Sequence, residues 1–199
     1  MVVSLFDYGT GNLHSLSKGF EACGAVTRID DDPLEALQAD AMVLPGVGAF
    51  GAAAEMIAPA ANDIRAALLS GFPCLGICLG MQLLFESSAE GGGRGLGILP
   101  GCVRRLRAHR VPQMGWNSIE RASEDPLFAG MGELVAYYAN SFVAEPADPA
   151  SVIAWTTYET DRFAASVRRE RTWGVQFHPE KSSRDGLRIL RRFLEEAAK

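Results

Sequence analysis

The first half of the chain alternates short runs of aliphatic and β-branched residues with stretches whose apolar positions recur at helical spacing. Residues 2–6, 26–29, 41–44 and 73–77 read as strands. Residues 12–23, 33–38, about 52–69 (interrupted by Pro59) and 78–87 read as helices. Strand and helix in alternation predict a parallel sheet with helices on both faces, because each crossover has to return across the sheet. After the glycine-rich segment 91–97, read as a mobile loop, strand candidates lie closer together, at 102–106, 133–142, 151–157, 163–167 and 172–177. Residues 184–198 close the chain as a helix, with Leu187, Leu190, Leu194 and Ala197 on one face. The expected fold class is α/β: a mostly parallel central sheet with helices on both faces, extended by antiparallel strands from the C-terminal half.

Composition narrows the possibilities. With 199 residues, 48% of them hydrophobic and 22% charged, the chain has the make-up of a compact domain rather than a disordered one. Neither a repeat nor a linker interrupts it, so a single domain over 1–199 is expected. A net charge of −5 repels phosphate backbones and anionic lipid, so neither nucleic acid nor membrane is an expected partner. No apolar run is long enough to span a bilayer. The start MVVSLFDYG carries no basic and apolar leader pattern, and Cys23, Cys74, Cys78 and Cys102 form no C-x2-C pair. A cytoplasmic chain with free thiols, no metal site and no cofactor is therefore expected.

The sharpest local pattern is Gly76-Ile77-Cys78-Leu79-Gly80, at the junction of an apolar strand and a helix. It is the G-x-S-x-G nucleophile elbow with cysteine in place of serine. The nucleophile of such an elbow sits in a strained turn, and the flanking glycines let strand and helix cross without Cβ clashes. A helix start beside the sulfur favours thiolate, and the Leu79 amide can donate to an oxyanion. From this pattern alone, a buried cysteine in a glycine-rich turn is the competing reading.

A cysteine nucleophile needs a base, and the chain has three histidines: His14, His109 and His178. His178 follows the last predicted strand, in Gly174-Val175-Gln176-Phe177-His178-Pro179-Glu180-Lys181, where catalytic groups of such sheets converge. Glu180 is placed to hold the other ring nitrogen and stabilise the imidazolium. His14 and His109 lack such context and read as surface residues. The basic run from Arg104 to Arg110 reads as a solvated strand and loop, with contact to an acidic partner as the alternative.

Two glycine patterns compete for a nucleotide reading. Gly46-Val47-Gly48-Ala49-Phe50-Gly51 satisfies G-x-G-x-x-G, yet the next strand ends at Cys78 without the acidic residue that a dinucleotide site requires. Gly9-Thr10-Gly11-Asn12-Leu13-His14 places a histidine where a small residue is needed. In a parallel sheet the loop 45–51 emerges at the same edge as the elbow. The amides of Gly46, Val47 and Gly48 are then expected, with that of Leu79, to form an oxyanion hole, and glycine leaves the loop's peptides free to reorient.

The elbow, continued by Met81-Gln82, together with Phe177-His178-Pro179-Glu180 resembles the triad-type, class I glutamine amidotransferases. The resemblance narrows further. Asp7-Tyr8-Gly9-Thr10-Gly11-Asn12-Leu13, Pro45-Gly46-Val47-Gly48-Ala49-Phe50, Val111-Pro112-Gln113-Met114-Gly115-Trp116-Asn117 and Pro179-Glu180-Lys181-Ser182 are similar to the glutaminase subunits of imidazole glycerol phosphate synthase. These motifs run through nearly the whole chain. The resemblance implies that Cys78 attacks the side-chain amide of glutamine, that His178 protonates the departing ammonia, and that Glu180 orients His178. It implies a glutamine site at Gly48, Gln82, Glu90, Ser141 and Phe142. It also implies a partner, a (β/α)8 cyclase subunit that receives ammonia through an internal channel and makes imidazole glycerol phosphate and aminoimidazole carboxamide ribonucleotide in histidine biosynthesis. Asn12, Trp116 and Lys181 match the positions expected at that interface.

The sequence departs from the family pattern at Gln113 and Asn140, where histidine is common, and at Phe142, where tyrosine is common. Loss of a hydroxyl at 142 leaves the backbone to hold glutamine there. Two rivals remain: a Cys-His-Glu amide hydrolase of the same fold serving pyridoxal phosphate or aminobenzoate synthesis, and a catalytically silent regulatory subunit.

Overall fold

A computed structural model describes residues 1–9, 13–46 and 48–199. Its elements, in chain order, begin with β1 (Val2–Phe6), α1 (His14–Ala22), β2 (Val26–Asp30), α2 (Pro33–Ala36), β3 (Ala41–Leu44), α3 (Phe50–Ile57) and α4 (Ala61–Leu69). Then come β4 (Cys74–Ile77), α5 (Leu79–Leu83), β5 (Ser87–Ser88), β6 (Gly101–Arg105), β7 (Gln113–Arg121), β8 (Leu134–Asn140) and β9 (Phe142–Pro146). The last are β10 (Val152–Tyr158), β11 (Asp161–Arg169), β12 (Thr172–Val175) and α6 (Ser183–Ala197). A 3-10 turn at Ala58–Ala60 divides the helical stretch around Pro59.

Nine strands form one sheet in the order β2-β1-β3-β4-β12-β11-β10-β7-β8. The first five are mutually parallel and the rest antiparallel. The strand β12 is the hinge of this design: arriving from the antiparallel half, it pairs parallel to β4 with Ile77 opposite Val175. The residues that follow both strands therefore leave the same sheet edge side by side.

Alternation along the central strands divides the core in two. Val3, Leu5, Val43, Leu75 and Ile77 face one side, where Leu16 and Phe20 of α1 and Ile189, Leu190 and Phe193 of α6 cover them. Phe6, Met42, Leu44 and Cys74 face the other, beneath Phe50, Ala53 and Ile57 of α3, Ile64 and Leu68 of α4, and Leu79, Met81 and Leu83 of α5. The buried face of α6 differs from the expected one. Leu190, Leu194 and Ala197 are buried with Ile189 and Phe193, whereas Leu187 is 37% exposed. Among the described residues no helix is long and apolar enough to cross a membrane.

The antiparallel half holds two departures. The run expected as one strand over 133–142 is two, β8 and β9, broken at Ser141, and β9 belongs to a small separate sheet, β5-β6-β9. The long strand β7, which the sequence did not announce, reverses the usual pattern. Its Gln113 is buried while Met114 and Trp116 face outward, and Gly115 has a φ of +129°. The basic run folds onto carboxylates of its own chain: Arg104 forms a two-pronged ion pair with Asp161 at 2.7 and 2.8 Å and reaches Glu145 at 3.0 Å. The amides of His109 and Arg110 donate to Glu159.

Helix α5 can follow β4 only because two glycines remove side chains from the crossing. A Cβ on Gly76 would lie 2.6 Å from the Gly80 carbonyl oxygen, and one on Gly80 would lie 1.8 Å from the Leu44 carbonyl oxygen. Overpacking of this kind typically costs about 1–3 kcal/mol, and more where backbone must move. Gly80→Ala is therefore expected to lower the urea midpoint sharply or to prevent soluble expression. Gly92→Ala, whose Cβ would meet nothing within 4 Å, should leave the midpoint in place. Equal midpoints for the two variants would refute this account of the crossing.

Candidate active site

The strand β4 delivers Cys78 into a backbone conformation that L-residues avoid, with φ +50° and ψ −103°. Its amide donates to the Val175 carbonyl at 2.7 Å, extending the β4–β12 pairing by one residue. Its carbonyl accepts from Gln82 N at 3.1 Å and so begins α5. The sulfur is thus held above the carboxyl edge of the sheet, as the elbow reading expects.

The imidazole of His178 is buried, and its Nδ1 lies 2.9 Å from Glu180 Oε1, inside a single turn at Pro179–Lys181. The other ring nitrogen is left on the side of Cys78, since a Cβ on Gly46 would meet both Cys78 Cβ and His178 Cε1. Burial alone would lower the pKa of His178. The Cys78 sulfur and the Glu180 carboxylate more than offset it, through hydrogen bonds and charge, and raise it to about 10. Gly46 packs against both partners: a Cβ there would lie 2.9 Å from Cys78 Cβ and 3.0 Å from His178 Cε1. The loop after β3 can approach the pair only as glycine. Gly48 has a φ of +101°, again a conformation suited to glycine. His14 and His109 are exposed.

A cavity of about 210 Å³ opens over the sulfur, lined by residues that include Gly46, Gly48, Leu79, Gln82, Glu90 and Ser141. It is smaller than typical drug-sized sites, which suits one amino acid better than a nucleotide. All five residues expected to hold glutamine, Gly48, Gln82, Glu90, Ser141 and Phe142, line it with Cys78. Glu90 also accepts from Phe50 N at 3.0 Å, joining the glycine-rich segment to the start of α3. The backbone of Phe142 offers less than expected. Its carbonyl already accepts from Gln82 Nε2 at 3.0 Å and from Asn140 Nδ2 at 3.3 Å. A larger hollow of about 740 Å³, bordered by Arg121 and Phe128, shares no residue with this cavity, and its buried carboxylate Asp125 is engaged by Trp173 and Arg168.

Two of the three expected interface residues share a surface patch. Trp116 is 54% exposed and packs edge-on against Tyr137, with ring centres 6.2 Å apart, and Lys181 Nζ lies 6.0 Å from the centre of the same Tyr137 ring. Asn12 and the Val47 amide of the expected oxyanion hole lie outside the described residues. Sequence reasoning missed Gln176, fully buried beside Cys78, with Nε2 3.4 Å from Cys78 Sγ. A signal was available: a polar amide inside the apolar run Trp173-Gly174-Val175-Gln176-Phe177 demands a buried partner.

An elbow cysteine at the edge of a mixed sheet, paired with a carboxylate-held histidine over a small polar cavity, defines a cysteine amidohydrolase class, and the comparisons agree. The chain matches the family Glutamine amidotransferase class-I over residues 4–197, and it belongs to that family. It is 43% identical to imidazole glycerol phosphate synthase subunit HisH of Microcystis aeruginosa, covering 100% of this chain and 97% of that protein. It is 45% identical to the subunit of the same name from Pyrococcus furiosus, covering 96% and 97%. A crystal structure of a glutamine amidotransferase superposes with a TM-score of 0.79 at 19% identity, covering all of both chains. PurLQS from Thermotoga maritima does so with a TM-score of 0.77 at 20% identity, covering 98% of this chain and 97% of that one. At those identities the superpositions speak to the fold alone.

The raised pKa of His178 has a testable sign. A group raised above its unfolded value near 6.5 contributes stability that is fully present below that pH and lost as pH rises through about 10. In ring-nitrogen NMR, His178 should remain imidazolium through neutral pH, and Glu180→Gln should move its titration downward. An unmoved titration in that variant would remove Glu180 from the account.

Proposed function

We propose that this chain is the glutaminase subunit of an imidazole glycerol phosphate synthase, acting in the cytoplasm as one amidotransferase domain over residues 1–199. The observation that carries the reading is Cys78 in the lining of a cavity sized for one amino acid, with His178 close enough that a Cβ on Gly46 would meet both. Whole-length similarity to HisH subunits supports the choice of synthase over the other amide hydrolases of this fold.

In this reading glutamine lies in the cavity with Glu90 available to its ammonium group and Gln82 beside its carboxamide. Thiolate Cys78 attacks the carboxamide carbon, and the oxygen takes up negative charge. The Leu79 amide and the loop of Gly46, Val47 and Gly48 supply donors to that oxygen, each worth roughly 10²- to 10³-fold in rate. His178, charged and held by Glu180, gives its proton to the departing nitrogen. Ammonia leaves and a glutamyl thioester remains. Neutral His178 then takes a proton from water as it attacks the thioester carbonyl, which frees glutamate and restores the thiolate and the imidazolium. Ammonia passes to a (β/α)8 cyclase subunit seated on the face that carries Trp116 and Lys181, with Asn12 proposed as a further contact. No cofactor or metal enters this scheme.

The test is a division of labour. With the cyclase subunit present, Cys78→Ala should abolish synthesis from glutamine but leave synthesis from added ammonium salt near the unmodified rate. Loss of both activities in a folded complex would refute the assignment. His178→Asn should depress kcat by about 10²- to 10⁴-fold with a smaller effect on KM, because its contribution is made in the transition state.

A further inference from the structure

Gln176 lies two residues before His178 and immediately after β12, with no exposed surface. Its backbone amide donates to the Ala165 carbonyl at 2.9 Å, which fixes the main chain and leaves the side chain to the space between β12 and the elbow. Three contacts then decide which way its carboxamide points. Gln82 Nε2 lies 3.0 Å from the Phe142 carbonyl, an atom that can only accept, so this end of Gln82 must be its NH2 group. The same Nε2 lies 3.3 Å from the near end of the Gln176 carboxamide, which must therefore be the oxygen. The remaining end of Gln176, its NH2 group, is left aimed at Cys78 Sγ at 3.4 Å. Reversing either amide would set like groups against each other in a site without exposed surface.

We propose that Gln176 is a second support of the nucleophile: its carboxamide donates to the Cys78 sulfur and favours the thiolate, while the Gln82 link ties that donor to the wall of the substrate cavity. The inference rests on reading Cys78 as the nucleophile. A donor aimed at sulfur favours the charged form over the neutral one. The Ala139 carbonyl, an acceptor that would favour the neutral thiol, is more distant at 4.0 Å. The Gln176 amide thus adds to His178 a second group beside the sulfur. His178 gives up its proton during the reaction, whereas Gln176 has none to transfer and keeps the sulfur in place throughout. The titratable groups around the sulfur are His178, Glu180 behind it and Glu90 across the cavity, and a change at Gln176 alters none of them.

The experiment follows alkylation of Cys78 by iodoacetamide, a neutral probe, from pH 6 to pH 10 on the purified chain, read by mass spectrometry with exposed Cys102 as internal standard. Gln176→Met keeps length and removes the donor; Gln176→Glu keeps shape but replaces the donor with a carboxylate. The expected rates at neutral pH fall in the order Gln, Met, Glu, with at least about a tenfold loss for Met, the scale of one hydrogen bond to a charged group. The pH profile should move upward in the same order. A packing role predicts the reverse, because Glu matches Gln in shape better than Met does. Unmodified rate and profile in Gln176→Met would overturn the proposal, and this variant decides alone if the buried carboxylate of the other prevents folding. In the unaltered chain, the Gln176 side-chain NH2 resonances should shift over the pH range in which Cys78 becomes reactive; resonances that stay fixed would equally overturn it. Alkylation requires neither glutamine turnover nor a partner. A chain that shows the predicted order yet hydrolyses no glutamine in complex would fail the proposed function alone, and one that hydrolyses glutamine without the order would fail this inference alone.

Discussion

The site depends on one crossing of backbone, where β4 turns into α5 over Gly76 and Gly80. A residue held as Cys78 is, at φ +50°, costs about 1–3 kcal/mol, and α5 is too short to offset this by its own hydrogen bonds. The compensation comes from packing. Leu75, Ile77, Leu79 and Met81 on either side are all essentially buried, and each such side chain contributes roughly 1.5–3 kcal/mol relative to exposure. The flanking residues outweigh the strain several times over. Cys78 is therefore strained but not mobile, and its sulfur is placed before any substrate arrives.

Placement of His178 follows from the same strand order. Because β12 lies between β4 and β11, the residues leaving it reach the elbow, and the turn carrying His178 is then fixed from several sides. His178 N donates to the Tyr137 carbonyl at 2.8 Å, and Ser182 Oγ donates to the His178 carbonyl at 2.6 Å while accepting from Tyr137 N. A Cβ on Gly186 would lie 1.9 Å from the Pro179 carbonyl oxygen, so the first turn of α6 presses directly on this segment. A three-residue turn thereby becomes as well anchored as a strand.

The parallel half was legible because its residues obey one rule at a time: apolar runs for doubly covered strands, helical spacing between them, and glycines flanking a cysteine where the two cross. The candidate triad could be proposed for a related reason, since Cys78, His178 and Glu180 lie within two short motifs at strand ends. What escaped notice obeys tertiary demands instead. The strand β7 turns Met114 and Trp116 outward and Gln113 inward, so its alternation points to the wrong face. Ser141 breaks a continuous β-rich run because β8 and β9 belong to different sheets. Resemblance, not residue pattern, proposed Glu90 and Ser141, since a cavity assembled from several elements leaves no local spacing. Gln176 stood inside a motif already singled out, and only its neighbours in space explain a buried amide there.

The edge of the large sheet carries one further consequence. An edge strand exposes N–H and C=O groups that need partners, and β8 is such a strand. At Tyr137 both outward groups are taken by the segment 178–182, the amide by Ser182 and the carbonyl by His178. The ring of the same residue lies in the surface patch with Trp116 and Lys181. Tyr137 thus meets the surface patch with its side chain and His178 with its main chain. The exposed patch and the turn that holds His178 therefore share one strand, which needs no contact through the core.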